Sequence, residues 1–225
     1  MRMHGGIYSA AAITAIAASL VVMTGYLRSP ARSSPAHSSV EVGETEYEVV
    51  SAYIGGIFTS PNLENRVGQG IVKLIIANTT QSGEDDLLRE DNGQPIPWEK
   101  TAKSLQEKAP TLQQTTIDAF PREVNVGQAS LRPSFHIAIN YVLLDLDQLN
   151  SIPKGGDWWG EFYRRFPGSE GILTLSRVGF NAERTQALFY FSNRCGGLCG
   201  AGSYVVMEKR GSDWVISKEI EMWVS

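Results

Sequence analysis

Residues 186–224 read QALFYFSNRCGGLCGAGSYVVMEKRGSDWVISKEIEMWV and decide the fold. The runs 186–194, 203–210 and 214–224 are rich in β-branched and aromatic residues, and glycine-containing links separate them, which is typical of strands joined by hairpins. Residues 172–180 come before them with the same character. Such short links join antiparallel strands, because a parallel connection needs a crossover of a dozen or more residues. The sequence therefore predicts a four-stranded antiparallel meander at the C-terminus.

The upstream part of the chain is predicted to be mainly helical. Thr45 and Glu48 match a capping box, and helical spacing of apolar residues follows them as far as Phe58. Two further helices are predicted at 98–108 and 111–120, ended by Pro110 and Pro121. Residues 157–166 form a fourth, short helix whose apolar surface is aromatic.

Two further strands are predicted, at 71–77 and 135–144, and residues 81–97 are expected to form a polar, acidic loop. The apolar face of such a sheet must be buried against other elements, and the preceding helices are available to pack on it. We therefore predict an α+β fold with helices packed on one face of a mainly antiparallel sheet.

The N-terminal segment indicates export. Residues 7–27 contain no charged side chain, and their length suits a membrane span better than the core of a signal peptide. A Ser/Pro/Ala-rich stretch at 29–40 then has the composition of a flexible linker. We predict a membrane anchor or signal segment at 1–28, a linker at 29–40 and a single extracytoplasmic domain at 41–225. The expected location is the cell membrane, with a single pass, and the alternative is a secreted or periplasmic protein.

The charge of the domain argues against nucleic-acid binding. The chain has 20 basic and 24 acidic residues; three basic residues precede the first acid, Glu41, so residues 41–225 hold 17 basic residues against all 24 acids, a net charge of −7. Nucleic-acid-binding domains instead carry a basic patch or stripe. The expected partners are therefore a protein or small-molecule ligand, together with the membrane through the N-terminal helix, and no cofactor is predicted.

Cys195 and Cys199, the two cysteines of the chain, lie at the tip of the hairpin that joins the second and third strands of the meander. In an exported domain they favour a structural disulfide. Two alternatives use the same residues: a redox-active pair, although its spacing is longer than the usual Cys-x-x-Cys, and a site for a soft metal such as copper(I) or zinc. Apart from this alternative, no metal site is predicted.

Glycines surround the two cysteines. Gly196, Gly197, Gly200 and Gly202 give the backbone freedom to close a tight ring, and they are candidates for a loop that binds a ligand. Their spacing does not match the dinucleotide-binding fingerprint, and no helix follows to hold a pyrophosphate.

A few polar residues outside this loop are weaker candidates for a site. His136 is the one histidine of the domain, so a hydrolase built on a Ser-His or Cys-His pair would have to use it. Asn140 follows it on the same predicted strand, and Asp145 and Asp147 are spaced to share a face. The sequence lacks a Gly-x-Ser-x-Gly elbow, a His-Glu-x-x-His motif and a P-loop. Trp158 and Trp159 could line a ligand surface, but core packing is the better interpretation.

Segments of residues 158–225 carry a resemblance: FYRRFP at 162–167, SRVGFN at 176–181, QAL at 186–188 and CGGLCGAG at 195–202. This pattern resembles that of a group of bacterial exported proteins to which no activity is assigned. The resemblance implies an extracytoplasmic domain of bacterial type and no catalytic residue. Together with the anchor, the linker and the missing catalytic motifs, it favours a non-catalytic binding or interaction module over a thiol- or metal-handling protein and over a hydrolase that uses His136.

Overall fold

The computed structural model of the chain describes residues 41–58, 73–82, 96–124, 127–153 and 155–225. The predicted anchor at 1–28 and linker at 29–40 lie outside the described residues, as does most of the acidic loop predicted at 81–97. Of the helices that are described, none has the length and apolar character that a membrane span requires.

The described helices, numbered in chain order, are α1 (Glu44–Ile57), α2 (Trp98–Lys108), α3 (Gln114–Val124), α4 (Leu146–Asn150) and α5 (Trp158–Arg165). The described strands are β1 (Lys73–Ala77), β2 (Asn140–Leu144), β3 (Ser169–Leu175), β4 (Gly179–Phe180), β5 (Gln186–Gly196), β6 (Cys199–Arg210) and β7 (Asp213–Val224). The fold is thus α+β, as predicted.

One mixed sheet contains all of these strands, in the order β2-β1-β3-β5-β6-β7, with the short β4 also paired to β5. β1 runs parallel to both β2 and β3, whereas the pairs from β3 to β7 are antiparallel. The predicted C-terminal meander is confirmed. Its first strand is split into β3 and β4 by residues 176–178, and Ser176 keeps contact with β5 because its Oγ accepts the Tyr190 N–H at 2.8 Å.

Helices cover both faces of the sheet, so the prediction of helices on one face was wrong. Side chains alternate along β5: Phe189 packs with Tyr53 of α1, whereas Leu188 packs with Ile117 of α3. On that second face α5 covers the other end of the sheet, where Phe162 packs with Ile75 of β1. The central strands are apolar on both sides, which a one-faced sheet would not require.

The predicted strand at 135–144 is shorter than expected, because β2 begins only at Asn140. Phe135 and Ile139 are buried in the core beside α1, although their backbone is not part of the sheet. Side-chain oxygens accept the backbone hydrogen bonds that a neighbouring strand would otherwise accept. The His136 N–H donates to Ser51 Oγ at 2.9 Å, and the Phe135 N–H donates to the Tyr141 hydroxyl at 3.2 Å.

Three predicted helix boundaries were also wrong. α1 begins after Gly43 rather than at Thr45, and its capping contact is a hydrogen bond from the Gly43 N–H to the Glu46 carboxylate at 3.1 Å. α3 begins at Gln114 rather than at residue 111, and it continues through Pro121 to Val124. Proline removes one hydrogen bond of the helix, but the residues on both sides of it, Phe120 and Val124, are buried in the same core cluster, and their burial holds the last turn in place.

A buried ion pair ties α1 to the gap between β3 and β4. The Arg177 guanidinium donates to the Glu46 carboxylate from Nε at 2.9 Å and from Nη2 at 2.8 Å, and the Val178 N–H donates to the same carboxylate at 3.0 Å. Arg177 is only 6% exposed and Glu46 only 7%. The hydrogen bonds to Glu46 raise the pKa of Arg177, so the guanidinium stays charged.

Candidate functional site

The predicted disulfide is confirmed. Cys195 and Cys199 are bonded across the turn between β5 and β6, with their Cα atoms 5.0 Å apart. The turn presents Leu198, whose side chain is 92% exposed, at the tip of the hairpin. Because both sulfur atoms are in the bond, neither is a thiolate that could hold a soft metal in this state.

Loss of the disulfide should destabilise the protein modestly. Replacing Cys195 and Cys199 together with serine opens a ring of only five residues, so the chain-entropy model predicts a loss of about 2 kcal/mol in the free energy of unfolding. Urea denaturation of the full chain would measure this loss. The matched control is Leu198→Ala in the same turn, which should leave the stability unchanged. A double-serine variant as stable as the wild type would show that the bond is not a structural one.

Two of the four candidate glycines are explained by packing. Gly200 and Gly202 lie in β6 beneath the ring of Trp223, and a Cβ on Gly202 would collide with that ring and with the Tyr190 hydroxyl. The Trp223 Nε1–H donates to this hydroxyl at 2.6 Å. The absence of side chains at Gly200 and Gly202 thus lets Trp223 lie flat across the hairpin, while Gly196 and Gly197 belong to the disulfide turn.

The other candidate residues do not form a catalytic group among the described residues. The His136 side chain is exposed, and its backbone N–H donates to Ser51 Oγ. Asn140 is exposed at the start of β2. Asp145 is the N-cap of α4 and accepts the Asp147 N–H at 2.9 Å.

The residues of the SRVGFN segment all have structural contacts. Arg177 pairs with Glu46, and Gly179 lets β4 approach α3 so closely that a Cβ there would lie 2.6 Å from the Phe120 backbone. Asn181 closes the turn before β5 by accepting the backbone N–H groups of Thr185 and Gln186 at 2.8 and 3.0 Å. This segment therefore joins α1, α3 and the sheet.

A cleft of about 420 Å³ opens between α5 and the sheet. This volume lies in the range of small-molecule sites. The residues that line the cleft combine apolar, aromatic, amide, hydroxyl and guanidinium groups: Gln81, Leu149, Trp158, Trp159, Ile172, Thr174 and Arg194. We call this feature the α5 cleft.

The aromatic wall of the α5 cleft comes from the start of α5. The Asp157 carboxylate caps the helix by accepting the Gly160 N–H at 2.8 Å, and Phe162 anchors it in the core with none of its surface exposed. Trp158 stacks on Phe162 at 5.7 Å between ring centroids, and Trp159 meets Trp158 edge-on at 4.9 Å. Both tryptophans are half-buried, so part of each ring is available to a ligand.

Charged groups fix the opposite side of α5. Glu161 accepts hydrogen bonds from Arg164 at 2.7 Å and from Arg165 at 2.9 Å, and these lower the pKa of its carboxyl to about 2. Arg165 also donates to Ser151 Oγ at 2.9 Å, which connects α5 to the end of α4. The helix that carries the tryptophans is therefore held from both its apolar and its charged sides.

The floor of the α5 cleft is the face of the sheet formed by β3 and β5. Ile172 lies opposite Arg194, and Thr174 lies opposite Ser192, where the two hydroxyl oxygens are 2.7 Å apart. The Arg194 guanidinium lies 5.7 Å from the centre of the Trp223 ring. The Tyr163 hydroxyl of α5 donates to the Cys195 carbonyl at 2.8 Å, so the helix also fixes the disulfide hairpin beside the cleft.

No family model, curated protein or solved structure matches this chain. The functional argument therefore depends on the site itself. Sequence reasoning noted the Trp158–Trp159 pair as a possible ligand surface, but it did not identify Gln81, Thr174 or Arg194, which the fold brings to the same place from three separate segments.

Proposed function

We propose that this protein is a non-catalytic binding module on the extracytoplasmic side of the membrane, and that it binds a small ligand in the α5 cleft. The observation that carries the proposal is the cleft, because it combines a suitable volume, two partly exposed tryptophans and a few converging polar groups, as ligand sites do. Its walls come from a capped helix and a sheet, so the site is preformed.

The kinds of side chain that line the cleft favour binding over catalysis. Among the described residues, the lining includes no histidine, cysteine or carboxylate that could act as a general base or nucleophile. Nor do the described parts of the chain contain three or more His, Cys, Asp or Glu side chains grouped to hold a metal ion.

The proposed location follows from the N-terminal segment and the disulfide. An uncharged run at 7–27, a linker and a Cys195–Cys199 bond together fit a domain outside the cytoplasm, where disulfides persist. Residues 1–28 would hold it at the membrane or, once removed, leave it secreted.

Fractionation of cells that express the full chain should place it in the membrane or outside the cell. Recovery of the intact chain in the soluble cytoplasmic fraction would contradict this location.

The binding proposal predicts thermal stabilisation by ligands that enter the cleft. The full chain is melted with a panel of monosaccharides, uronic acids, aromatic acids and the amides of those acids. A ligand present at 100 times its Kd stabilises the folded state by about 2.7 kcal/mol, which raises the Tm by roughly 5–10 °C for a chain of this size. We expect at least one member of the panel to do so.

The Trp159→Ala variant should lose this shift, because it removes half of the aromatic wall. Trp98→Ala is the matched control, since Trp98 is equally half-buried but packs on Phe120, away from the cleft. Both variants lose a tryptophan, so we expect them to differ in the rise of Tm that the ligand causes: Trp98→Ala should keep this rise and Trp159→Ala should lose it. A panel without any hit, or a hit that Trp159→Ala retains in full, would overturn the assignment of the cleft.

A further inference from the structure

We infer that the ligand of the α5 cleft is a small organic acid in which a carboxylate is attached to a ring. This inference rests on the proposed function and names the class of ligand. It is drawn from the arrangement of three kinds of group around the cleft: flat aromatic side chains, one cationic side chain and hydrogen-bonding groups between them.

The aromatic wall favours a ring. Trp158 and Trp159 present two ring systems set at 84° to one another, and Leu149 and Ile172 add apolar surface from α4 and β3. A flat ring, either aromatic or a sugar with one face of C–H groups, can stack on one tryptophan and contact the edge of the other. A flexible chain would lose more conformational entropy for the same contact.

Arg194 favours an anion. Among the described residues, Arg194 takes part in no ion pair, and its guanidinium lies over the ring of Trp223. This cation–π contact leaves the N–H donors of the guanidinium for a second partner. A carboxylate matches this planar fork with two parallel hydrogen bonds. Residues 41–225 have a net charge of −7, yet the described lining of the cleft contains an arginine and no carboxylate, so the charge of the lining is positive and suits an acid.

Gln81 and Thr174 lie in the same lining and favour a ligand with further polar groups. The Gln81 Oε1 atom is buried and has no hydrogen-bond partner within the described residues. A buried acceptor without a partner destabilises the protein. A ligand hydroxyl or N–H that donated to the Gln81 amide oxygen would remove this cost and would thereby gain affinity. The Thr174 hydroxyl, which already contacts Ser192, offers a second such group.

An acidic sugar and an aromatic acid both have this chemistry, and matched pairs distinguish them. Isothermal titration of the full chain compares glucuronate with glucuronamide, and benzoate with benzamide. We expect the acid of at least one pair to bind about ten- to a hundredfold more tightly than its amide, as a charge-assisted contact predicts. The pair that shows the preference identifies the ring.

The Arg194→Gln variant should remove this preference by weakening the acid to the affinity of its amide. Arg210→Gln is the control, since Arg210 is an exposed arginine at the far end of the same hairpin. If the amides bind as tightly as the acids in a manner that depends on Trp159, the ligand class is wrong and the binding site stands. If neither acids nor neutral compounds bind, both the ligand class and the proposed function are wrong.

Discussion

Replacing Glu46 with alanine is expected to lower the free energy of unfolding by about 3–5 kcal/mol, because it leaves the charge of Arg177 buried without its partner. The Glu46 carboxylate accepts hydrogen bonds from the Arg177 guanidinium and from the backbone N–H groups of Gly43 and Val178, so one side chain satisfies donors from two segments that are distant in sequence. The remaining carboxylate near Arg177, that of Glu123, is 3.6 Å away and half-exposed, and it cannot replace these contacts.

Urea denaturation of the full chain would measure this effect, with Glu48→Ala as the matched control, because Glu48 is exposed on the same helix. Combining Glu46→Ala with Arg177→Met removes both charges, so the double variant should be more stable than Glu46→Ala alone. It should still be less stable than the wild type, since two backbone N–H groups lose their acceptor. A loss below about 1 kcal/mol for Glu46→Ala would show that the pair does not hold α1 to the sheet.

Replacing Phe162 with alanine is expected to lower the free energy of unfolding by about 3–5 kcal/mol as well, because it leaves a cavity at the centre of the apolar cluster that α5 forms with β1. The Phe162 ring is fully buried and contacts Trp158, Trp159, Tyr163 and Phe166, with centroid distances of 5.2–5.7 Å. Phe162 is the buried residue of α5 that packs on the sheet, so the cavity should also loosen the wall of the cleft.

The control for this variant is Phe166→Ala, which removes the same kind of side chain from a half-buried position in the same cluster and should cost less. Stability and ligand affinity are measured together on the full chain. We expect Phe162→Ala to weaken binding at a temperature where the variant is still folded. Wild-type affinity in a folded Phe162→Ala variant would mean that the anchoring of α5 does not position the site.

The meander was predictable because its signal is local. Alternation and short glycine-containing links identify consecutive antiparallel strands without any knowledge of the rest of the chain. The disulfide was predictable for the same reason, since both cysteines lie in one hairpin.

The segment 135–139 shows where alternation fails. Phe135 and Ile139 face the core as residues of a strand would, yet Ser51 and Tyr141 supply the hydrogen-bond partners that a neighbouring strand would otherwise supply. An extended segment satisfied by side chains has the same pattern of residues as a true strand, so the sequence cannot separate them.

The parts of the structure that depend on distant residues were not predictable. Glu46 and Arg177 are 131 residues apart in sequence, and neither has a local feature that indicates burial. The α5 cleft likewise needs the sheet order, since Gln81, Trp158 and Arg194 become neighbours only after β1, β3 and β5 are placed side by side. Trp158 and Trp159 were the one local signal of the site.

The central claim is that the α5 cleft is the ligand site, and hydrogen–deuterium exchange of the full chain with and without a bound acid tests it most directly. Binding there should slow exchange in α5 and in the paired segments of β3 and β5 that form the floor, while α2 and α3, on the same face of the sheet, stay unchanged. Protection confined to other elements, or exchange that is identical with and without the bound acid, would contradict the account.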